Sequence, residues 1–293
     1  MAMIAFITEL LAVNEVRTAL AVGSAVAVAT AAVGVLTVLR GQSFAGHALT
    51  DLAAVGGSAA FLLGVDQLWG FVASCVLSSL GMHAIGVRRM RGRDVATGVV
   101  LGAGMGLTAL FLTLARKSRS AGSSSMAVLF GSLFSVDPGI TPAVVALSAF
   151  CLVVLALIWR PAVFSVSSPE LAFARGVPIG ALDAIFMVVL GVAVALGAVS
   201  VGAVLSTALL IGPAACALRV ARTTHAAMLL SCALGVACTW TGTILSYESY
   251  NWLGGKALSP SFCIVALIFG LYLAISAACR LSALARKGQV AHV

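Results

Sequence analysis

The sequence predicts an all-α polytopic membrane protein with nine transmembrane helices, its N-terminus outside and its C-terminus inside. Three observations carry this. The first is composition: of 293 residues, 61% are hydrophobic and only 9% charged, and the mean hydropathy is +1.15. Soluble domains run at about 25% charged and about 45–50% apolar residues. The second is the spacing of apolar runs, which recur at the roughly 17–25 residues that a helix needs to cross a bilayer. The third is the placement of the basic residues. The net charge of +8 reads as the retention of Lys and Arg in cytoplasmic loops, and not as a nucleic-acid surface. With seven prolines and no long polar tract, residues 1–293 form a single transmembrane domain.

The runs fall at roughly 17–39, 44–65, 68–87, 95–115, 140–159, 179–198, 201–218, 226–246 and 259–279. The sixth and seventh are divided only by a short Gly/Ser turn near Ser200. The apolar stretch Met1–Ala12 contains Glu9, has no basic start and no small-residue cleavage site, and so does not read as a cleaved signal peptide. An odd number of spans puts the termini on opposite sides. With the N-terminus outside, twelve of the 17 basic residues are cytoplasmic, among them Arg40, the Arg88–Arg93 cluster, Arg160, Arg175, Arg219, Arg222, Arg280, Arg286 and Lys287. Arg116, Lys117 and Arg119 run against the rule. They open the longest polar linker, Arg116–Pro142. Inside it the apolar stretch Met126–Phe134 is too short to span and reads as an interfacial or re-entrant piece packed on protein.

Gly98, Gly102 and Gly106 recur every fourth residue, a small-residue stripe that predicts a close helix crossing. The seven cysteines show no C-x-x-C pattern and read as small buried residues. His83, His225 and His292 sit at a helix end, in a loop and in the tail, where solvation is the simplest reading.

Two stretches carry chemistry. In Gly46-His47-Ala48-Leu49-Thr50-Asp51-Leu52, His47 and Asp51 are four residues apart, hence one helical turn apart on one face. Ionisable groups inside a span are costly, face protein or water, and mark functional sites. Imidazole and carboxylate are ligands that suit Zn²⁺ or Mn²⁺ better than Mg²⁺. The structural alternative is a buried pair that serves packing alone. The second stretch follows the fifth span. Ser168 suits an N-cap, Pro169 the first helical position, and Glu170 the positive N-terminal end, whereas Gly176 and Pro178 stop the chain. This predicts a cytoplasmic helix of about two turns containing Pro169, Glu170, Leu171, Ala172 and Arg175.

Four collinear stretches resemble the permease family of bacterial ABC importers for zinc and manganese. They are Val38–Asp51 with Phe61–Gly64; Asp94–Val100 with Val128–Leu133; Pro169–Ala172 with Gly176–Pro178; and Val201–Leu205 with Ala208–Ala215. The family pattern has Asp first and His four residues later, followed by Pro. Here the order is reversed, and Val55-Gly56-Gly57 stands where the Pro is expected. The resemblance implies that His47 and Asp51 touch a transported Zn or Mn ion, with no permanently bound cofactor. It implies that the short helix, Pro169 to Gly176, couples to an ATPase. The expected partners are a second copy of the chain, two ATPase subunits and an extracytoplasmic metal-binding protein, in a bacterial inner membrane. The chain lacks a G-x-x-x-x-G-K-[ST] loop and so is not itself the ATPase. Two other readings remain at this level: an ion-coupled secondary transporter or channel using His47, Asp51 and Asp183 as a relay, and an ABC permease for a non-metal solute. An integral membrane enzyme is a further reading, to which an H-E-x-x-H motif would point; none is present.

Overall fold

A computed structural model describes residues 14–85, 94–118, 129–131, 133–135, 138–252 and 258–290. The Met1–Ala12 stretch, the Arg88–Arg93 cluster, Arg119, Met126, Lys256 and His292 lie outside the described residues. The elements of the described residues are all helical: α1 Asn14–Leu39, α2 Ser43–Leu63, α3 Gln67–Ile85, α4 Asp94–Ser118, α5 Thr141–Ser167, α6 Pro169–Ala174, α7 Ile179–Val201, α8 Ser206–Val220, α9 Thr224–Trp252 and α10 Pro260–Val290. Two 3-10 turns, Leu133–Ser135 and Pro138–Ile140, precede α5.

Among the described residues, six helices are long and apolar enough to cross a membrane: α1, α2, α5, α7, α9 and α10. They match six of the nine expected runs. The runs at 68–87 and 95–115 fall on α3 and α4. The run at 201–218 falls on α8, which begins later, at Ser206, and spans 15 residues.

Helix α7 is apolar all round, as a helix enclosed by others should be. It packs on α1, α2, α3, α5 and α8. In the most apolar window of each helix, 78% of α1 and α7 is buried against 17% of α10, so the first two form the axis and α10 the rim. Small residues permit the closest crossings, as expected where lipid supplies no competing hydrophobic drive. Gly56 of α2 lies on Gly70 of α3 with backbone against backbone, so a Cβ on either would collide with the other's carbonyl. The expected Gly98–Gly106 stripe is not such a crossing where it is described. Gly102 and Gly106 meet nothing within 4 Å, and Gly104 is the residue that faces α2, at Leu52 and Val55. A four-residue count drifts about 40° around the helix at each step, because a turn takes 3.6 residues, and α4 turns the intermediate Gly104 toward its neighbour.

Other boundaries also move. The fifth span does not end at Trp159. The helix runs through Arg160 and Pro161 to Ser167, because Arg160 points outward while Ala162 and Ser165 are buried. The break after α7 comes at Gly202, not near Ser200. Gly202 (φ +98°) and Gly131 (φ +69°) both adopt left-handed backbone and pack on each other, and the Val204 N–H donates to the Leu129 carbonyl at 3.1 Å. This is the short piece expected to pack on protein: Leu133 is fully buried. His225 is not in a loop but in the first turn of α9, its ring 5.9 Å from that of Trp159. Cys75, Cys151, Cys216, Cys238 and Cys263 are buried thiols.

Candidate functional site

His47 and Asp51 sit in the second and third turns of α2, and His47 faces the start of α8. The side chain of His47 is 51% exposed and that of Asp51 9% exposed, with Nε2 4.0 Å from Oδ2. That separation is too long for a hydrogen bond. Two ligands bound about 2.1 Å from one Zn²⁺ at tetrahedral to octahedral angles are roughly 3.0–3.5 Å apart, so a shift of about half an ångström would let both reach one ion. Among the described residues no group of three or more His, Cys, Asp or Glu side chains gathers in one place. The pair therefore offers two ligands and leaves the remaining positions of an ion to water or hydroxyl oxygen.

Two hydroxyls complete the wall. Thr207, the second residue of α8, has its Oγ1 3.4 Å from His47 Nδ1 and 2.9 Å from Thr50 Oγ1. Thr50 in turn donates to the Gly46 carbonyl at 2.8 Å. Neither threonine is singled out by sequence reasoning. Thr50 lay inside the stretch already noted, and Thr207 is 160 residues from His47, brought there only by the Gly202 turn.

Asp183 is not beside this pair in the hydrogen-bonding pattern. In the second turn of α7, it receives Arg40 Nη1 at 2.7 Å, and both side chains are almost wholly buried. Arg40 also reaches Ser165 Oγ at 3.5 Å and stacks over the Phe186 ring with its Cζ 4.7 Å from the centroid. Sequence reasoning used Arg40 only as a charge marker. The available signal was that Arg40 and Asp183 fall at the same end of two apolar runs, where opposite charges in a low dielectric must find each other.

At that same end, α6 follows α5 after the single residue Ser168. The expected helix is present and spans six residues, Pro169–Ala174, with Arg175 as its C-cap. Pro169 takes the first position, whereas the Ser168 side chain makes no capping bond. Gly176 (φ +73°) closes it: the Gly176 N–H donates to the Phe173 carbonyl at 2.9 Å and the Val177 N–H to the Ala172 carbonyl at 3.1 Å, a Schellman closure. Ala172 is buried against the bundle, but Leu171 is 59% and Phe173 77% exposed. Arg175 lies over the Phe164 ring at 5.4 Å. Two large apolar side chains facing outward from a rigidly closed turn are suited to insertion into another protein.

Residues 12–279 match the model of a family described as the ABC 3 transport family. The chain belongs to the ABC 3 transport family. Among its relatives, the manganese import system permease protein ScaB of Streptococcus pneumoniae is 29% identical over 87% of this chain and 88% of its own length. The protein of the same name in Streptococcus parasanguinis is 28% identical over 80% of this chain and 81% of its own. The high-affinity zinc uptake system membrane protein ZnuB of Haemophilus influenzae is 28% identical over 70% of this chain and 77% of its own. The fold of this ABC 3 chain is that of a solved relative, PsaBC from Streptococcus pneumoniae in complex with a Fab, with a TM-score of 0.78, 24% identity and coverage of 93% of this chain and 95% of that one.

Proposed function

We propose that this ABC 3 chain is the membrane permease of an ATP-driven importer for divalent manganese or zinc, and that His47 and Asp51 touch the ion in passage. The carrying observation is the His47–Asp51 pair, 4.0 Å apart on a partly open face, in a chain whose relatives are named for manganese and zinc uptake. A carboxylate offsets cation charge in a low-dielectric path, and a neutral imidazole adds affinity without a second charge. Two ligands bind weakly enough to release, as conduction requires. A secondary transporter with Asp183 in a proton relay is less well supported, because Asp183 is engaged by Arg40. The chain works as two copies with two ATPase subunits and an extracytoplasmic metal-binding protein. It crosses the bacterial inner membrane nine times, α3, α4 and α8 included.

Reconstitution with its ATPase partner tests this reading: Mn²⁺ or Zn²⁺, presented by the binding protein, should stimulate ATP hydrolysis and enter the vesicle. Stimulation by neither ion would refute the metal reading. For the docking role of α6, Phe173→Asp and Glu170→Arg should lower metal-stimulated hydrolysis at least about 10-fold, as expected for a central contact worth more than 1.4 kcal/mol, with unchanged folded yield. Full stimulation in both variants would remove α6 as the coupling element. Topology has its own check. Gly92→Cys should react with a membrane-impermeant thiol reagent only in inverted vesicles, and Lys256→Cys only in intact cells. Labelling of Gly92→Cys from outside would overturn the orientation.

A further inference from the structure

We propose that Thr50 and Thr207 fix the tautomer of His47, so that a bare Nε2 faces Asp51 and an arriving cation. The inference rests on the reading of His47 as a ligand and follows from counting protons. A threonine hydroxyl has one proton to give. Thr50 is fully buried, and its Oγ1 lies 2.8 Å from the Gly46 carbonyl oxygen, which only accepts. Thr50 spends its proton there. The Thr50 and Thr207 oxygens are 2.9 Å apart, so the bond between them takes its proton from Thr207. Thr207 then has none left for His47. Its Oγ1, 3.4 Å from Nδ1, accepts, and Nδ1 carries the hydrogen. In a neutral imidazole with Nδ1 protonated, Nε2 holds a lone pair. That nitrogen is the one turned toward Asp51 Oδ2, at 4.0 Å.

The opposite tautomer would place an N–H against the carboxylate, and the pair would close to hydrogen-bond distance. A closed pair consumes both ligands on each other. The relay from His47 through Thr207 and Thr50 to the Gly46 carbonyl keeps them apart and aimed at a shared point. It does so across two helices. Gly46, against whose position Leu210 of α8 packs, lets α8 approach closely enough for Thr207 to reach, and the Gly131–Gly202 contact sets where α8 begins. Thr50 and Thr207 are thus positioning residues for the ligand. Ligand-orienting hydrogen bonds of this kind are worth roughly 10–100-fold in metal affinity.

The test uses the full-length permease purified with its ATPase and labelled with ¹⁵N-histidine, the His47 signals being assigned by their loss in His47→Ala. The metal-free wild type should show the Nδ1–H tautomer at His47. Thr207→Val removes the acceptor while keeping the shape, and should shift His47 to the Nε2–H form. The same variant should weaken binding of Zn²⁺ alone by roughly 10-fold or more. Thr207→Ser, which keeps the hydroxyl, should restore both the tautomer and the affinity. A wild-type tautomer in Thr207→Val, or a Thr207→Ser that behaves like Thr207→Val, overturns the proposal. Unchanged Zn²⁺ affinity in His47→Ala sinks the ligand reading instead, and the tautomer of the metal-free protein still decides the relay.

Discussion

Replacing His47 or Asp51 by alanine should abolish metal uptake while leaving the amount of folded complex near normal. Partners that only orient a metal ligand are worth roughly 10–100-fold, so removing a ligand itself should cost at least about 100-fold. Each variant leaves one protein ligand where two stood, and no third His, Cys, Asp or Glu joins them among the described residues. The half-exposed ring of His47 makes the fold insensitive to its loss, because little packing disappears with it. Asp51 is more buried, so Asp51→Asn is the cleaner variant there: it keeps shape and loses charge. The competing account makes the pair a packing device. It requires the reverse pattern, with lower folded yield and normal uptake per folded complex. Uptake of radioactive manganese or zinc into proteoliposomes, normalised to folded complex, separates the two accounts. Near-normal uptake by the double variant His47→Ala, Asp51→Ala would end the ion-site proposal. Restoring the family order with His47→Asp and Asp51→His keeps the ligand set and should retain uptake, with any change in the manganese-to-zinc ratio assigned to geometry.

Much of the fold was legible because a helix in hydrocarbon must satisfy its own backbone, which makes apolar run length a strong signal. The runs ending at Leu39 and beginning at Ile179 are recovered almost to the residue. The errors have physical causes. Arg160 and Pro161 look like a helix end, but the cost of a proline, one lost hydrogen bond and a crowded carbonyl four residues back, is outweighed by the buried faces of Ala162 and Ser165, which carry the helix onward. The 201–218 run starts too early because composition does not reveal where a glycine adopts positive φ, and Gly202 delays the helix to Ser206. That same turn decides the site. The i, i+4 spacing of His47 and Asp51 is local and therefore readable. Thr207 is placed by the lock of Gly131 on Gly202, a contact across the chain that no periodicity encodes. The short helix after Ser168 was readable from its punctuation, Pro at the start and Gly at the end. The outward aim of Leu171 and Phe173 required knowing that Ala172 faces the bundle.

The largest stability effect should come from Arg40 and Asp183, which pair with each other and not with His47 or Asp51. Their 2.7 Å contact is nearly sealed from solvent. Arg40→Ala would leave a buried carboxylate without its guanidinium, and breaking such a pair from one side costs about 3–5 kcal/mol. The loss should appear as a marked fall in folded yield and in thermal stability measured in detergent. Arg40→Lys should fall between, since an ammonium keeps the charge but not the planar stack over Phe186 or the second reach to Ser165. The decisive variant is the double substitution Arg40→Met, Asp183→Leu. Removing both charges removes the desolvation cost along with the attraction, and replacing a buried pair by apolar side chains of similar size is often neutral or stabilising. The double variant should therefore be more stable than Arg40→Ala, although it carries one more change. This non-additivity is expected only if the two groups interact directly. A double variant as unstable as the sum of its single substitutions would mean that Arg40 and Asp183 stabilise α1 and α7 separately. The node joins the end of α1, the start of α7 and the last turn of α5, the two helices on either side of α6 included. Its strength therefore sets how rigidly the base of the exposed Leu171–Phe173 turn is held.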